Sequence, residues 1–462
     1  MAIFAAVALL CALYLADLTG MGMVSKDEPR YADIGRAMAR SGDWVTPRLW
    51  GRPWFEKPPL LYWIVGAGFK LHAGPDLAPR LPVALLSLAF LALFFTRLRK
   101  LWNTRVAVYS TAILATSAGW LGFSHIAVTD LPLAAFFSAA LLLCLGPAAS
   151  VTSARNITLA AACLALAVLT KSLVPLVLFA PVIALNHRSL VNRRSLPALA
   201  VFAVIALPWY ILCTLRDGSE FLRVLFLEQQ FGRFFGGAFS PAVPHVEPWW
   251  YYGPAALLLL FPWFPLLPLA ARDFRDRRIL TLLAVVVCGF IFFSVSRNKL
   301  ASYLLPLLPS TCILLGVGLA GCRRPERAIV LPLALMGALP VASSILPGAL
   351  ANGLGSASIP LPLLSISIAG VALIALLLAT FFRTYAVAAG LSLTAAAFLW
   401  FQIAAFPGID RTASARPLWL AERPACAPPV RPAMRYGLNY YAGRDLPPCN
   451  PHLDPPAVTV VR

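Results

Sequence analysis

Apolar runs long enough to cross a bilayer recur along almost the whole chain, and a chain with so much apolar surface to cover has few folds open to it. They read as about 3–24, 81–96, 105–122, 131–148, 157–170, 173–186, 196–213, 254–271, 279–295, 302–321, 329–347, 361–382 and 386–406. Thirteen spans of about twenty residues take about 260 positions and leave roughly 200 for loops, termini and appendages. With 60% hydrophobic and 12% charged residues and a mean hydropathy of +0.78, a soluble globular protein is excluded. The expected fold is an all-α polytopic membrane protein with about 13 transmembrane helices. The runs 157–170 and 173–186 are short and split by Lys171, so a single kinked passage would also accommodate them.

The charge is lopsided, with 38 Lys and Arg against 19 Asp and Glu. Sixteen of the basic residues fall in alternate short connections, around Arg97–Arg105, Arg155, Arg188–Arg194, Arg272–Arg278, Arg323–Arg327 and Arg383. Short connections rich in Lys and Arg stay in the cytoplasm, so this surplus anchors helices and implies no nucleic acid. The N-terminus is then cytoplasmic and the C-terminus exoplasmic. The segments 25–80, 214–253 and 407–462 gather on the exoplasmic side, and that face as a whole takes about sixteen of the nineteen acids. The expected division is a transmembrane domain, 1–406, carrying the two large exoplasmic loops, and a short exoplasmic segment, 407–462. The first run lacks a basic lead and a small-residue cleavage pattern before Met21–Ser25, so it is expected to be retained. Cys426 and Cys449 lie in the exoplasmic tail, where an oxidising compartment would allow a disulfide, although spacing alone does not pair them.

The first exoplasmic loop is the least ordinary stretch: Asp27-Glu28-Pro29-Arg30-Tyr31-Ala32-Asp33-Ile34-Gly35-Arg36-Ala37-Met38, then Gly42-Asp43-Trp44, then Phe55-Glu56-Lys57-Pro58-Pro59-Leu60-Leu61-Tyr62-Trp63. Pro29 suits a first helical turn, the acids before it complement a helix N-terminus, and Ile34, Ala37 and Met38 make an apolar stripe. A helix over 30–40 is expected on the membrane surface, with Asp27 and Glu28 at its start. Taken alone the acids read as a cap. Beside Arg30, Glu56 and Lys57 they read as a polar site.

These residues resemble the opening of the bacterial aminoarabinose transferases and their protein mannosyltransferase-like relatives, membrane glycosyltransferases of the C-type fold that use polyprenyl phosphate sugar donors. The resemblance continues through Thr129-Asp130, Thr170-Lys171, His245-Val246-Glu247-Pro248-Trp249-Trp250 and Lys299-Leu300-Ala301-Ser302-Tyr303. It departs at Trp54, where relatives usually carry Tyr, at Ser172, where many carry Gly, and in a shorter tail whose Tyr436–Tyr441 is expected to be its one strand-like segment. The resemblance implies Asp27 as catalytic base, with Glu28 or Asp130 stabilising positive charge on the sugar ring. It implies Lys57, Lys171 and Tyr303 as holders of the donor phosphate and Arg30 beside the catalytic acid. Lys299 and Arg233 are further cations at that face. Glu56 and His245 together would offer two ligands to zinc or another divalent ion.

The expected activity is inverting transfer from a polyprenyl (undecaprenyl) phosphate carrier to lipid A or another envelope glycolipid, by a monomer in the bacterial inner membrane. Transfer to a protein or surface polysaccharide is the alternative acceptor reading. A lipid-linked sugar transporter is a different class, but it would place its polar residues near the midplane and show internal repeats. Here the ionisable residues gather at one face.

Overall fold

The computed structural model describes residues 2–146, 153–191, 195–236, 245–271, 273–353 and 359–449. Arg193, Arg194, Arg272, part of the 214–253 loop and the end of the tail lie outside the described residues. Each of the thirteen apolar runs overlaps a helix. Among the described residues, eight helices are long and apolar enough to cross a membrane, and nine if Thr104–Ala115 and Ala118–Ser124, bent by 61°, form one span. The remaining four runs are shorter or broken. Ala2–Leu15 stops well before residue 24, where Asp17 takes a left-handed backbone (φ 56°). Asp130–Cys144 and Val174–Leu190 are short, and prolines break 254–271 into Tyr252–Leu260 and a 3-10 turn, Phe264–Leu269. Leu361–Phe381 leaves nearly all of its apolar side chains uncovered, as a helix facing lipid does. Runs 157–170 and 173–186 are two helices, Ala154–Lys171 and Val174–Leu190, separated where Ser172 adopts φ 54°.

At one end of the bundle the long connections meet. The helix Asp27–Ser41 begins with its two acids, carries Pro29 in the first turn and ends at Gly42, whose left-handed backbone (φ 74°) lets its N–H return to the Met38 carbonyl. It packs on Leu60–Lys70, where Gly35 lies so close to Val65 that an added Cβ would sit 2.5 Å from it. Between them runs a two-stranded hairpin, Arg48–Leu49 with Arg52–Pro53. The helix Leu196–Leu222 continues into wide π-helical turns, Arg223–Gly232, an arrangement frequent at functional sites, and then Arg233–Phe235. The short stretch before Tyr303 is threaded against both neighbours: the Asn298 N–H donates to the Arg233 carbonyl (3.3 Å) and the Lys299 N–H to that of His245 (2.9 Å).

The tail departs from expectation. The last long helix, Arg383–Ala413, runs past residue 406, and Tyr436–Tyr441, expected as a strand, lies within the helix Pro432–Ala442. Pro432 in the first turn and Gly443 (φ 71°) beyond the last favour that helix. They outweigh the strand propensity of three tyrosines. Cys426 and Cys449 form a disulfide around this helix. The tail is fastened to the first loop: Arg36 donates to the Tyr440 carbonyl (2.7 Å), Tyr441 to Asp76 (2.7 Å), and Arg416 pairs with Asp76 (3.2 Å) and Asp410 (2.9 Å).

Candidate functional site

Asp27 and Glu28 leave their helix in different directions. Glu28 is completely buried against Arg80, with contacts of 2.7 and 2.9 Å, and its two oxygens also accept from the Val24 N–H (2.9 Å) and the Ala127 N–H (3.1 Å). Arg80 in turn donates to the carbonyls of Leu18, Met21 and Gly22, tying the end of the first helical run to the loop. Every hydrogen-bonding direction of this pair is used. Asp27, by contrast, is 38% exposed and pairs with Arg30.

From Asp27 a charged chain leads inward. Arg30 reaches Glu56 (2.9 Å), whose other oxygen accepts from Arg233 (2.9 Å), with the Lys57 ammonium 3.6 Å away. A second pair lies beside it: Lys171, the last residue of Ala154–Lys171, meets Asp130, the first residue of Asp130–Cys144, at 2.7 Å. The Lys171 ammonium also sits 4.1 Å from the centre of the Tyr303 ring, and the Tyr303 hydroxyl accepts from Asn298 (2.8 Å). Lys57, Lys171, Arg233, Gln230, Asn298 and Tyr303 line one cavity of about 70 Å³.

The electrostatics favour an anion there. Burial alone would raise the Glu56 carboxyl, but Lys57, Arg30 and Arg233 outweigh it and hold it at about 2. The Lys57 ammonium is pushed down to about 7 by burial and by repulsion from Arg233, against the attraction of Glu56. With Lys57 protonated, Arg30, Lys57, Arg233 and Lys171 face Asp27, Glu56 and Asp130, leaving one positive charge uncompensated. One singly charged phosphodiester would neutralise it.

Most of the expected site residues therefore converge. Lys299 is turned aside and donates to the Ser296 carbonyl (2.7 Å). His245 is half-buried, and burial with the nearby charge of Lys26 lowers its proton affinity. Among the described residues no three of His, Cys, Asp and Glu come together as metal ligands. Each Glu56 oxygen accepts from a guanidinium group, and with His245 this residue would offer a divalent cation only two protein ligands. The motifs gave no sign of Gln230, Asn298 or Arg80. The first two are neutral residues beside charged ones, Gln230 near Glu228 and Arg233 and Asn298 between Arg297 and Lys299, and Arg80 reads as one more cation near a helix start.

The fold and this charged end define a class: a polytopic membrane protein of the C-type glycosyltransferase architecture. Over 96% of the chain it superposes with a TM-score of 0.75 and 25% identity on 85% of the crystallised ArnT from Cupriavidus metallidurans bound to undecaprenyl phosphate. Residues 1–217 match the family described as dolichyl-phosphate-mannose-protein mannosyltransferase. Two relatives bear the name undecaprenyl phosphate-alpha-4-amino-4-deoxy-L-arabinose arabinosyl transferase. The one from Edwardsiella ictaluri is 33% identical over 65% of this chain and 56% of its own length. The one from Pseudomonas aeruginosa is 30% identical over 69% of this chain and 59% of its own. The chain is similar to these aminoarabinose transferases and protein mannosyltransferase-like proteins, and its matches span 56–59% of the length of these two relatives.

Proposed function

We propose that the chain is an inverting glycosyltransferase that moves a sugar, of the aminoarabinose type, from an undecaprenyl phosphate carrier to lipid A or another envelope glycolipid. The observation that carries the reading is the cavity where Lys57, Lys171 and Arg233 converge while Asp27 stays open to solvent at the end of the same charged chain. Relatives named for this reaction, and the likeness to a structure holding undecaprenyl phosphate, support it.

In this reading the cations and Tyr303 hold the donor phosphate. The acceptor oxygen attacks the anomeric carbon from the opposite side. The bond from that carbon to the phosphate oxygen breaks with its electron pair staying on the phosphate, and a hydroxyl acceptor gives its proton to Asp27. The cationic cavity, with Lys57 and Lys171 buried and held by ion pairs before reaction, stabilises the charge that gathers on the leaving phosphate. Asp130 is assigned to positioning Lys171, and Arg30 to orienting Asp27. Glu56 holds Arg30 and Arg233 in place, and no step is routed through a metal. Glu28 is assigned to the loop's architecture, and Lys299 to the turn before Tyr303. The chain is placed in the bacterial inner membrane with its N-terminus cytoplasmic and its C-terminus periplasmic. Residues 1–406 form the catalytic domain and 407–462 a periplasmic appendage. The positive surplus of the short connections supports that orientation.

Transfer from undecaprenyl phosphate-aminoarabinose to purified lipid A, assayed with the reconstituted chain, tests the reading. Inverted product is expected from wild type and not from Asp27→Asn. Turnover without lipid-linked donor, or undiminished turnover in Asp27→Asn, would sink it.

A further inference from the structure

Around Arg30 three aromatic rings converge from separate parts of the chain. The guanidinium carbon lies 5.5 Å from the centre of Trp54 and 5.2 Å from that of Tyr436, and also 5.9 Å from Tyr31. Tyr436 comes from the tail helix, some 400 residues from its partners. Its ring stacks on Trp50 at 5.8 Å with an interplanar angle of 17°. Trp50, Trp54 and Tyr436 are all half-buried, so each keeps part of its surface open.

Trp50 holds its place at a cost. It sits at the tip of the hairpin with φ 50°, followed by Gly51 at φ 81°. Two positive φ values make the tight turn that Asn-Gly or Gly-Gly would fill without strain, and a bulky residue in that region is a true outlier. A strained residue kept beside a site is an observation from which a role can be argued. Nor is Tyr436 needed to fasten the tail. On the same helix Leu438 and Tyr440 are completely buried, and Tyr440 and Tyr441 make the hydrogen bonds to the first loop. Tyr436 is the aromatic residue of that helix that the tail's own packing leaves open.

We infer that Tyr436, stacked on Trp50 and sharing the Arg30 guanidinium with Trp54, forms a carbohydrate-stacking subsite next to Arg30 and Asp27, an inference that rests on the glycosyl-transfer reading above. A pyranose ring has an apolar face of C–H groups and an edge of hydroxyl or amino groups. A half-open aromatic wall bordered by one guanidinium and one carboxylate matches both. The subsite gives the C-terminal tail a direct part in choosing the sugar. That sugar belongs either to the donor or to the acceptor, and the two sources separate kinetically.

The test uses the full chain reconstituted in lipid nanodiscs, with undecaprenyl phosphate, undecaprenyl phosphate-aminoarabinose and lipid A as probes. Tyr436→Ala and Trp50→Ala are expected to raise one KM about five- to tenfold, with a smaller change in kcat. A rise in donor KM, with the affinity for bare undecaprenyl phosphate unchanged, assigns the subsite to the donor sugar. A rise in acceptor KM alone assigns it to the acceptor. Tyr436→Phe, which keeps the ring, is expected to rescue most of the loss. If Phe fails as badly as Ala, or if neither KM moves in Tyr436→Ala while wild type turns over, the subsite is overturned and the transfer reading stands. A wild type that binds neither undecaprenyl lipid overturns the transfer reading, and the subsite with it.

Discussion

Asp27 and Glu28 are neighbours on one helix, turned about 100° from each other around its axis, and that rotation separates two kinds of ion pair. Glu28 and Arg80 are sealed: no water reaches either, and backbone amides and carbonyls complete the shell. Asp27 is part-exposed, and through the largely buried Arg30 its chain of charges ends in a cavity with more positive than negative groups. A saturated pair has no bonding capacity left for a ligand and serves the fold. An unsaturated one keeps capacity for chemistry.

Asp27→Asn should give the largest effect. It removes the proposed proton acceptor while keeping the shape, so kcat should fall by about 10²- to 10⁴-fold. Thermal unfolding in detergent should stay near that of wild type, because Asn keeps an oxygen to accept from Arg30, Glu56 still pairs with that guanidinium, and the carboxylate lost is part-exposed. Glu28→Gln or Arg80→Met should do the reverse, at about 3–5 kcal/mol of stability, the cost of stranding one partner of a buried pair. Its checks are expression yield and unfolding midpoint. A stable, active Glu28→Gln protein would erase the distinction drawn between the two acids.

Lys57→Met tests the open side at its inner end. Loss of one buried cation should raise donor KM about ten- to a hundredfold. Stability should change little or rise, because a desolvated ammonium repelled by Arg233 is removed. Equal kinetics in wild type and variant would take Lys57 out of the donor site.

Much of this was legible in the residues. The apolar runs fall on helices because twenty-residue apolar stretches have few other ways to satisfy their backbone. The cluster of Asp27, Arg30, Glu56 and Lys57 was visible because local motifs keep these groups close in sequence. The partition between Asp27 and Glu28 was not visible. It depends on Arg80, which arrives 52 positions later and whose role is set by tertiary packing alone. Tyr436 was hidden for a similar reason, since its tyrosine-rich segment reads as a strand until Pro432 and Gly443 are weighed as helix ends. Its closeness to Arg30 is a contact between the two extremes of the chain.

The smallest expected effect, a pH dependence, sharpens the comparison most. With Lys57 held near 7 by burial and by Arg233, the lipid-free protein carries that charge at pH 6 and has mostly lost it by pH 8. A polyprenyl phosphate sugar is a phosphodiester and does not titrate in this range, so binding it at pH 8 requires Lys57 to take up a proton. Donor KM should therefore rise about tenfold between pH 6 and 8. Lys57→Arg, which stays charged, should flatten the profile. Stability runs the other way. The unfolded lysine keeps its proton up to near 10.5, so between about 7 and 10.5 the unfolded state binds more protons than the folded state, and the lipid-free protein gains stability as pH rises. The sealed pair makes no such trade. A donor KM that is flat from pH 6 to 8 in wild type would show that Lys57 is charged throughout and that the open cluster is better compensated than its geometry implies.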